Sequence, residues 1–331
     1  MRCYLAANVI ARDLAAVASC GMEPDFLQFD LASLRSAAPD ATQWRVLDHC
    51  AAVGRIYALF EQFCEALLAE WIAFRTDGVQ FSELPDKMRV SYAEQFPSML
   101  SDTFKVRYAH IVASDMIGDY HHALSGGRNF KLTPEVLTRH NANLRWLDVV
   151  EIFNRSGLTG LDEWISQHPK LTLHFETKKR IVEQTTAKLA EFVQYRNDAA
   201  HGAVVVDEIL GSEDLLDRAN FIRALCGAID QLVLKESLAY LLETGHLAQI
   251  GSVTEVFSNN VVVCILEGAR IERGSKLFLA TERTCDEFTV ASLMLENVDV
   301  EEAVLAKPRE VGIKFAEKPP AGAKVYLRAK A

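Results

Sequence analysis

Hydrophobic residues recur three and four positions apart through most of the first 245 residues, which is the spacing of amphipathic helices. The pattern is strongest from Gln43 to about Arg75, where Val53, Ile56 and Phe60 belong to the repeating set. Further helices are predicted over 101–124, 176–201 and 213–243. The segment 76–100 carries Pro85 and Pro97 and is predicted to be a turn-rich connection.

The pattern changes after Gly245, where short apolar runs alternate with turn residues. Examples of the runs are Val261–Leu266, Lys276–Leu279 and Val311–Phe315, and turn signals separate them at intervals of about ten residues. The last stretch is therefore predicted to be a small antiparallel β-barrel. The sequence as a whole predicts a multi-domain α and β protein, with an all-α helical bundle over 1–245 and the barrel over 249–331.

Charge and cysteine usage narrow the classes of function. The 331 residues carry a net charge of −10, and the stretch from 247 onward is about neutral, with 11 Lys and Arg against 12 Asp and Glu. Phosphate binding needs basic surface, so this balance argues against a general nucleic-acid coat and leaves room only for a local basic pocket. The seven cysteines include no Cys-x-x-Cys, which makes a zinc ribbon unlikely and predicts reduced thiols.

The N-terminal segment predicts a cytoplasmic protein. Val17-Ala18-Ser19-Cys20 resembles a lipoprotein cleavage site, but Arg12 and Asp13 interrupt the apolar region before it. No apolar run approaches the roughly 20 residues that a transmembrane helix needs. No membrane partner is therefore expected.

One charged residue interrupts the apolar stripe of the helix predicted over 176–201. On a wheel of about 100° per residue with Ile181 at zero, Phe192 falls near 20°, Leu189 near 80° and Val193 near 120°. Arg196 falls near 60°, in the middle of this stripe. A guanidinium on a buried face is costly unless it is paired. Arg196 is therefore predicted to face a partner group, a second subunit or an anion.

Asn197 and His201 are four residues apart and so share a helix face, whereas Arg196 and His201 lie about 140° apart. Arg196 and His201 cannot both point at one substrate from a single straight helix. Either the helix breaks before Gly202, or the site is shared across a two-fold axis. The alternative is that Arg196 pairs with Asp198 or Glu61 and His201 packs in the core.

Other polar groups have both a structural and a functional interpretation. Glu61 is either a carboxylate at a helix boundary or a buried acid that orients Arg196. The adjacent His121 and His122 fit surface histidines better than a metal site, because neighbours on a helix diverge by about 100°. The cluster from Arg139 to Arg145 is interpreted as a solvated face, with a phosphate contact as the alternative.

Arg196-Asn197-x-x-x-His201-Gly202, at the end of a helix in an all-α domain, resembles the motif of HEPN domains. Members of that family are small helical bundles, usually dimeric, whose motif is an Arg, a polar residue and then a His. The resemblance covers roughly 45–245. It implies RNA cleavage with no metal and no other cofactor, in a defence or toxin setting, at a composite site of a homodimer.

The same resemblance implies roles for three catalytic residues. His201 would be general base or acid at the ribose 2′-hydroxyl and the leaving oxygen. Arg196 would stabilise the charge that builds on the phosphate, and Asn197 would orient His201 or donate to a phosphate oxygen. RNA is the expected partner, and DNA is not. A non-catalytic RNA- or ribosome-binding module, or the sensor half of a two-protein system, is the alternative.

The C-terminal stretch resembles domain 2 of translational GTPases of the elongation factor Tu type. The matching features are the Ile250–Phe257 segment, the turn around Arg273-Gly274 and the Val311–Lys314 strand, in that order. Since no phosphate-binding loop occurs in the chain, the resemblance implies an adaptor barrel without a GTPase. Transfer RNA or ribosomal RNA would be its cargo, and a dimerisation or docking barrel is the alternative.

Overall fold

The computed structural model describes residues 41–140, 143–201 and 209–329, and for 41–43 and 201 it describes the backbone alone. The α-helices in these ranges are α1 (Ala41–Thr76), α2 (Asp86–Asp102), α3 (Ala113–Leu124), α4 (Glu135–Thr138), α5 (Trp146–Arg155), α6 (Leu161–Gln167), α7 (Pro169–His174), α8 (Ile181–His201) and α9 (Ser212–Glu243). Two short 3₁₀ turns cover Phe81–Glu83 and Val106–Tyr108.

The chain divides into two compact units. The described part of the first unit consists of residues 41–59, 191–201 and 209–219. The described part of the second unit consists of 60–140, 143–190 and 220–329, and it includes every strand that the structure describes. The assignment of separate domains to 1–245 and 249–331 stays a prediction.

The connection predicted between 76 and 100 is wrong, because α2 occupies most of it. Pro85 stands at the N-cap of this helix, where a missing N–H costs nothing. Pro97 lies inside the helix, on its exposed side. Met88, Tyr92 and Met99 are fully buried and supply the apolar stripe that outweighs the proline.

The ends of α8 and α9 follow local backbone chemistry. The structure begins α8 at Ile181 rather than near 176, because Glu176 and Arg180 adopt positive φ angles of 52° and 54°, which interrupt a right-handed helix. At its C-terminal end, α9 stops before Gly245, whose φ is 75°. The His246 N–H donates to the Leu241 carbonyl at 2.8 Å, as expected for a helix that ends on a left-handed glycine.

The strands form a closed antiparallel barrel, which confirms the predicted fold class. They are β1 (Leu247–Val256), β2 (Val261–Leu266), β3 (Ala269–Glu272), β4 (Lys276–Ala280), β5 (Cys285–Leu295), β6 (Val298–Val300), β7 (Glu302–Leu305), β8 (Arg309–Phe315) and β9 (Lys324–Arg328). Six of them pair in the order β4-β9-β1-β2-β8-β5, and β5 pairs back to β4. The short β6 extends β5, and β3 pairs with β7.

Alternating residues of the barrel strands point inward and form its core. In β2 the buried positions are Val262, Cys264 and Leu266, as a half-buried strand requires. Gly251 of β1 has a different role, since a Cβ there would lie 1.9 Å from the Ile265 carbonyl oxygen. Only glycine allows β1 and β2 to approach this closely.

One buried polar network links α7, α9 and β5 within the second unit. Nε2 of His168, a fully buried residue, lies 3.1 Å from Gln231 Oε1, and the Gln231 amide donates to Asp286 at 2.8 Å. Burial lowers the pKa of His168 to about 4, so its imidazole is neutral at pH 7. Its Nδ1 accepts from the Lys170 N–H at 3.3 Å, which caps α7.

Candidate functional site

The first unit is held together by one face of α1 against the last turns of α8. His49, Val53 and Tyr57 are buried and repeat every four residues, so they form a single stripe. The ring of Tyr57 lies 6.4 Å from that of Phe192. This packing fixes the part of α8 that carries the Arg-Asn-His motif.

Arg196 is half-buried beside an aromatic ring. Its guanidinium carbon lies 5.0 Å from the centroid of the Tyr57 ring, and its Nη1 donates to Asn197 Oδ1 at 3.2 Å. Within the described residues, no carboxylate pairs with Arg196. The positive charge is thus oriented by a ring and an amide, neither of which neutralises it.

The structure brings Arg196 and Asn197 together but gives no position for the imidazole of His201. The backbone of α8 is helical through His201, so the helix does not break before residue 202. The His201 side chain and Gly202 themselves lie outside the described residues. Because the helix is continuous, the ideal separation of about 140° between Arg196 and His201 persists.

A second polar group on the same unit was missed from the sequence. Tyr195 Oη lies 2.6 Å from His49 Nε2, and the two rings meet edge to face at 5.6 Å. The guanidinium carbon of Arg218 lies 5.5 Å from the Tyr195 ring centroid, and its Nη2 donates to Glu191 at 2.5 Å. The buried stripe of α1 was the available signal, since it places His49 one turn before Val53.

Burial and the nearby Arg218 charge lower the pKa of His49. The imidazole is therefore neutral at pH 7, and one of its nitrogens is an acceptor. Arg218 is itself buried, with 9% of its surface exposed, and its Nη1 has no hydrogen-bond partner in the parts of the chain that the structure describes.

The second unit contains an arginine in the opposite situation. Arg107 Nη2 lies 2.5 Å from Glu65 Oε1 and 3.7 Å from Glu61 Oε1. The buried His140 lies 3.2 Å from both of these carboxylate oxygens. Glu61 thus belongs to an ion-pair cluster with Arg107, Glu65 and His140, referred to below as the Arg107 cluster.

The Arg107 cluster offers three atoms that could hold a metal ion. The ligand atoms of Glu61, Glu65 and His140 all lie within 4.8 Å of one another. Arg107 already supplies positive charge there, and it would have to leave for a cation to bind. Burial raises the pKa of Glu65, but the His140 hydrogen bond and the Arg107 charge outweigh it and leave the pKa below its usual value.

The interpretation of 139–145 as a solvated face is wrong for its first two residues. Arg139 Nε lies 2.8 Å from Asp102 Oδ2, and His140 is buried in the Arg107 cluster. Long-range ion pairs with α1 and α2 hold both side chains, which no local pattern reveals. By contrast, His121 and His122 are exposed, as expected of surface histidines.

A cavity of about 810 Å³ opens in the second unit between α9 and the barrel. Its apolar wall includes Leu238 and Leu242 of α9. Three basic residues, Lys235, Arg283 and Lys324, and one acidic residue, Glu282, also line it. The cavity has the size of a small-molecule or nucleotide site.

The model of the RiboL-PSP-HEPN family matches residues 27–235. The chain belongs to the RiboL-PSP-HEPN family. This confirms the HEPN resemblance of the helical part and indicates an RNA-related role. Arg196, Asn197 and His201 all lie inside the matched range, and the barrel lies outside it.

No curated protein matches the chain. Among solved structures it is similar to the C-terminal domain of a protein described as a U32 peptidase from Geobacillus thermoleovorans, with 11% identity over 24% of this chain and 91% of that one, at a TM-score of 0.22. It is also similar to GDP-bound aIF5B from Aeropyrum pernix, with 18% identity over 36% of this chain and 23% of that one, at a TM-score of 0.18. The kinship of the barrel with translation factors stays a prediction.

Among the helices that the structure describes, none is long and apolar enough to cross a membrane.

Proposed function

We propose that this protein is a metal-independent endoribonuclease whose catalytic residues are Arg196, Asn197 and His201. The observation that carries the proposal is the half-buried Arg196 guanidinium, which has no carboxylate partner among the described residues and lies in the motif of a HEPN family member. A cation that lies against an aromatic ring, with no carboxylate partner in the described part of the chain, is suited to an anion, and the anion of RNA is its phosphate.

The chemistry follows from the residue types. His201 accepts the proton of a ribose 2′-hydroxyl, and the oxygen attacks the adjacent phosphorus. The bond from phosphorus to the 5′-oxygen breaks, and a protonated imidazole returns a proton to that oxygen. The products are a 2′,3′-cyclic phosphate end and a 5′-hydroxyl end. DNA is not cleaved in this way because it has no 2′-hydroxyl.

Arg196 stabilises the phosphorane, which carries more negative charge than the ground-state phosphate. Its Nη1 bond to Asn197 and the Tyr57 ring hold the guanidinium in a fixed direction. A charge that is already oriented needs no reorganisation during the reaction. Removal of one such donor typically costs about 100- to 1,000-fold in rate.

The continuity of α8 supports a site shared by two chains. Since the helix runs unbroken through His201, one copy cannot easily aim both Arg196 and His201 at the same phosphate. A two-fold axis would bring Arg196 of one copy near the motif of the other. The active form is therefore a homodimer, and a strictly monomeric protein would argue against this mechanism.

The substrate is proposed to be a structured RNA of translation, either transfer RNA or ribosomal RNA, in a defence or toxin setting. This part of the proposal rests on the resemblance of the barrel to domain 2 of translational GTPases. The positively charged residues in the cavity beside α9 are compatible with an RNA ligand.

The direct test is incubation of the protein with total transfer RNA and with ribosomes in excess EDTA. We expect wild type to produce discrete fragments with cyclic phosphate ends, and His201→Ala to produce none. The exposed His121→Ala is the matched control and should cleave normally. Identical fragments from wild type and His201→Ala, or no fragments from either, would remove the catalytic claim.

The cavity also favours a second candidate, a non-catalytic RNA- or ribosome-binding module. Its test is co-sedimentation with ribosomes for wild type and for a variant with Lys235, Arg283 and Lys324 changed to Glu. Binding without cleavage, lost in the triple variant, would support the binder. Sedimentation that the triple variant leaves unchanged would reject this surface as the binding site.

A further inference from the structure

His49 and Tyr195 form a bond between two helices immediately before the proposed catalytic arginine. Tyr195 precedes Arg196 in the chain, and its hydroxyl oxygen lies 2.6 Å from His49 Nε2. His49 has only 7% of its surface exposed and Tyr195 is half-buried, so the bond is partly shielded from water. Truncating either side chain would remove this bond between the two helices.

The bond acts on the same stretch of α8 that carries Arg196. The α1 stripe contacts Phe192 and Arg196 through Tyr57, and it contacts Tyr195 through His49. Van der Waals contacts are less directional than a hydrogen bond. A short hydrogen bond fixes both the rotation and the register.

We propose that His49 is a positioning residue for the ribonuclease site, and that its hydrogen bond to Tyr195 holds the last turns of α8 so that Arg196 and Asn197 face the phosphate. The inference rests on the proposed function and deepens it. His49 touches no reacting atom in this account. It acts through Tyr195.

The surroundings of the pair favour a neutral His49. A phenol is protonated at neutral pH and can donate to an unprotonated Nε2, which is the direction that we infer for this bond. Among the described residues, the charge that acts on the pair is that of Arg218 on α9, whose guanidinium carbon lies 5.5 Å from the Tyr195 ring centroid and which is paired with Glu191 on α8. Arg45 and Asp48 are neighbours of His49 on α1 itself. Protonation would reverse the direction of the bond, so that Nε2–H donates to the phenol oxygen, and it would place a second positive charge beside Arg218.

The consequence is a specific dependence on pH. Burial and Arg218 place the pKa of His49 below its usual value of about 6.5, so the imidazole is neutral at neutral pH. Protonation in acidic solution adds a charge beside Arg218 and weakens the positioning contact. Part of the acid limb of the cleavage rate should therefore come from His49, in addition to any titration of His201.

The experiment compares wild type with Tyr195→Phe, His49→Leu and His49→Gln, and uses Tyr240→Phe on α9 as the matched control. Cleavage rates are measured from pH 5 to 8 under conditions where thermal unfolding curves show every variant fully folded. Affinity is measured separately with RNA that carries 2′-O-methyl groups, which cannot be cleaved.

We expect Tyr195→Phe and His49→Leu to cleave about 10- to 100-fold more slowly, which is typical of a misplaced catalytic group, with RNA affinity within about twofold of wild type. His49→Gln retains an acceptor for Tyr195, so it should recover most of the rate at pH 7 and show a flatter acid limb. Tyr240→Phe should match wild type throughout.

Failure of the positioning role and failure of the ribonuclease proposal give different results. If wild type cleaves RNA and folded His49→Leu cleaves equally fast, or if His49→Gln keeps the wild-type pH profile, the positioning role is wrong and the ribonuclease proposal survives. If wild type itself leaves all RNA intact, the ribonuclease proposal fails, and the role of His49 fails with it.

Discussion

The last turns of α8 and the Arg107 cluster each present a partly buried arginine, yet the two arginines have opposite surroundings. Arg107 lies between two carboxylates and a buried histidine. Arg196 is held by the Tyr57 ring and the Asn197 amide, with no carboxylate among the described residues. A neutralised charge maintains a fold, whereas an oriented charge without a counterion is available to a ligand.

The largest expected effect is on the Arg196 side of this comparison. Arg196→Lys and Arg196→Ala should lower the rate of RNA cleavage by about 100- to 1,000-fold, because the oriented donor to the phosphate is lost. The matched control is Arg75→Lys on α1, whose guanidinium also lies over a tyrosine ring, at 4.1 Å from the Tyr240 centroid. If Arg75→Lys loses as much cleavage activity as Arg196→Lys, ring stacking rather than phosphate contact explains the effect.

The next effect concerns the buried network around His168, in which the imidazole is hydrogen-bonded to Gln231, just as Arg107 is paired in its cluster. Below pH 6.5 the unfolded chain binds a proton at His168, and the folded chain does so only near its pKa of about 4. Stability should therefore fall by up to about 3 kcal/mol as pH drops through this window. Denaturant unfolding of wild type and His168→Asn at several pH values measures this loss. The variant should be less stable at pH 7, and its free energy of unfolding should depend less on pH. An equal pH dependence of the unfolding free energy in the two proteins would mean that His168 does not titrate in this way.

Removal of Arg107 should affect stability rather than catalysis. Arg107→Ala leaves Glu61, Glu65 and His140 without their cation, and we expect a loss of about 1 kcal/mol because the pair is partly exposed. Chemical denaturation measures the loss, and the cleavage rate of the folded protein should stay within about twofold of wild type. A large loss of cleavage at full folding would contradict the division between the two arginines.

The smallest effect is the acid titration of Glu65. Its pKa lies below the usual value, so the stability that it contributes is present above about pH 4.5 and is lost as pH falls through the lowered pKa. In Glu65→Gln the unfolding free energy should vary less with pH below 4.5 than in wild type. The difference should be below about 1 kcal/mol, since the carboxylate is partly solvated. If the curves of unfolding free energy against pH run parallel for wild type and Glu65→Gln, this contribution is excluded.

Helices and strands were predicted well where the hydrophobic residues follow a single spacing, either two residues or three to four. Alternating residues such as Val262 and Cys264 predict an inward-facing strand, and the stripe through Phe192 predicts a buried helix face. The helix over Asp86–Asp102 was not predicted, because Pro97 is a local signal against a helix. The burial of Met88 and Tyr92, which stabilises the helix, is visible only in the folded chain. Local rules cannot weigh a proline against tertiary burial.

The polar clusters were harder to predict for a related reason. Arg196 was identified because its charge contradicts the apolar stripe of its own helix. The bond between His49 and Tyr195 joins residues 146 positions apart, and the one between His140 and Glu65 spans 75. The stripe of α1 places His49 on a buried face, but no local pattern identifies the partner of either histidine, so only the folded chain reveals which side chains meet.

The most direct test of the central claim is sequencing of RNA 5′-ends in cells that express wild type or Arg196→Ala at equal levels. The account predicts new 5′-hydroxyl ends at defined positions in transfer RNA or ribosomal RNA with wild type, and their loss with Arg196→Ala. The same ends at the same frequency with both proteins, or no new ends with wild type, would contradict it.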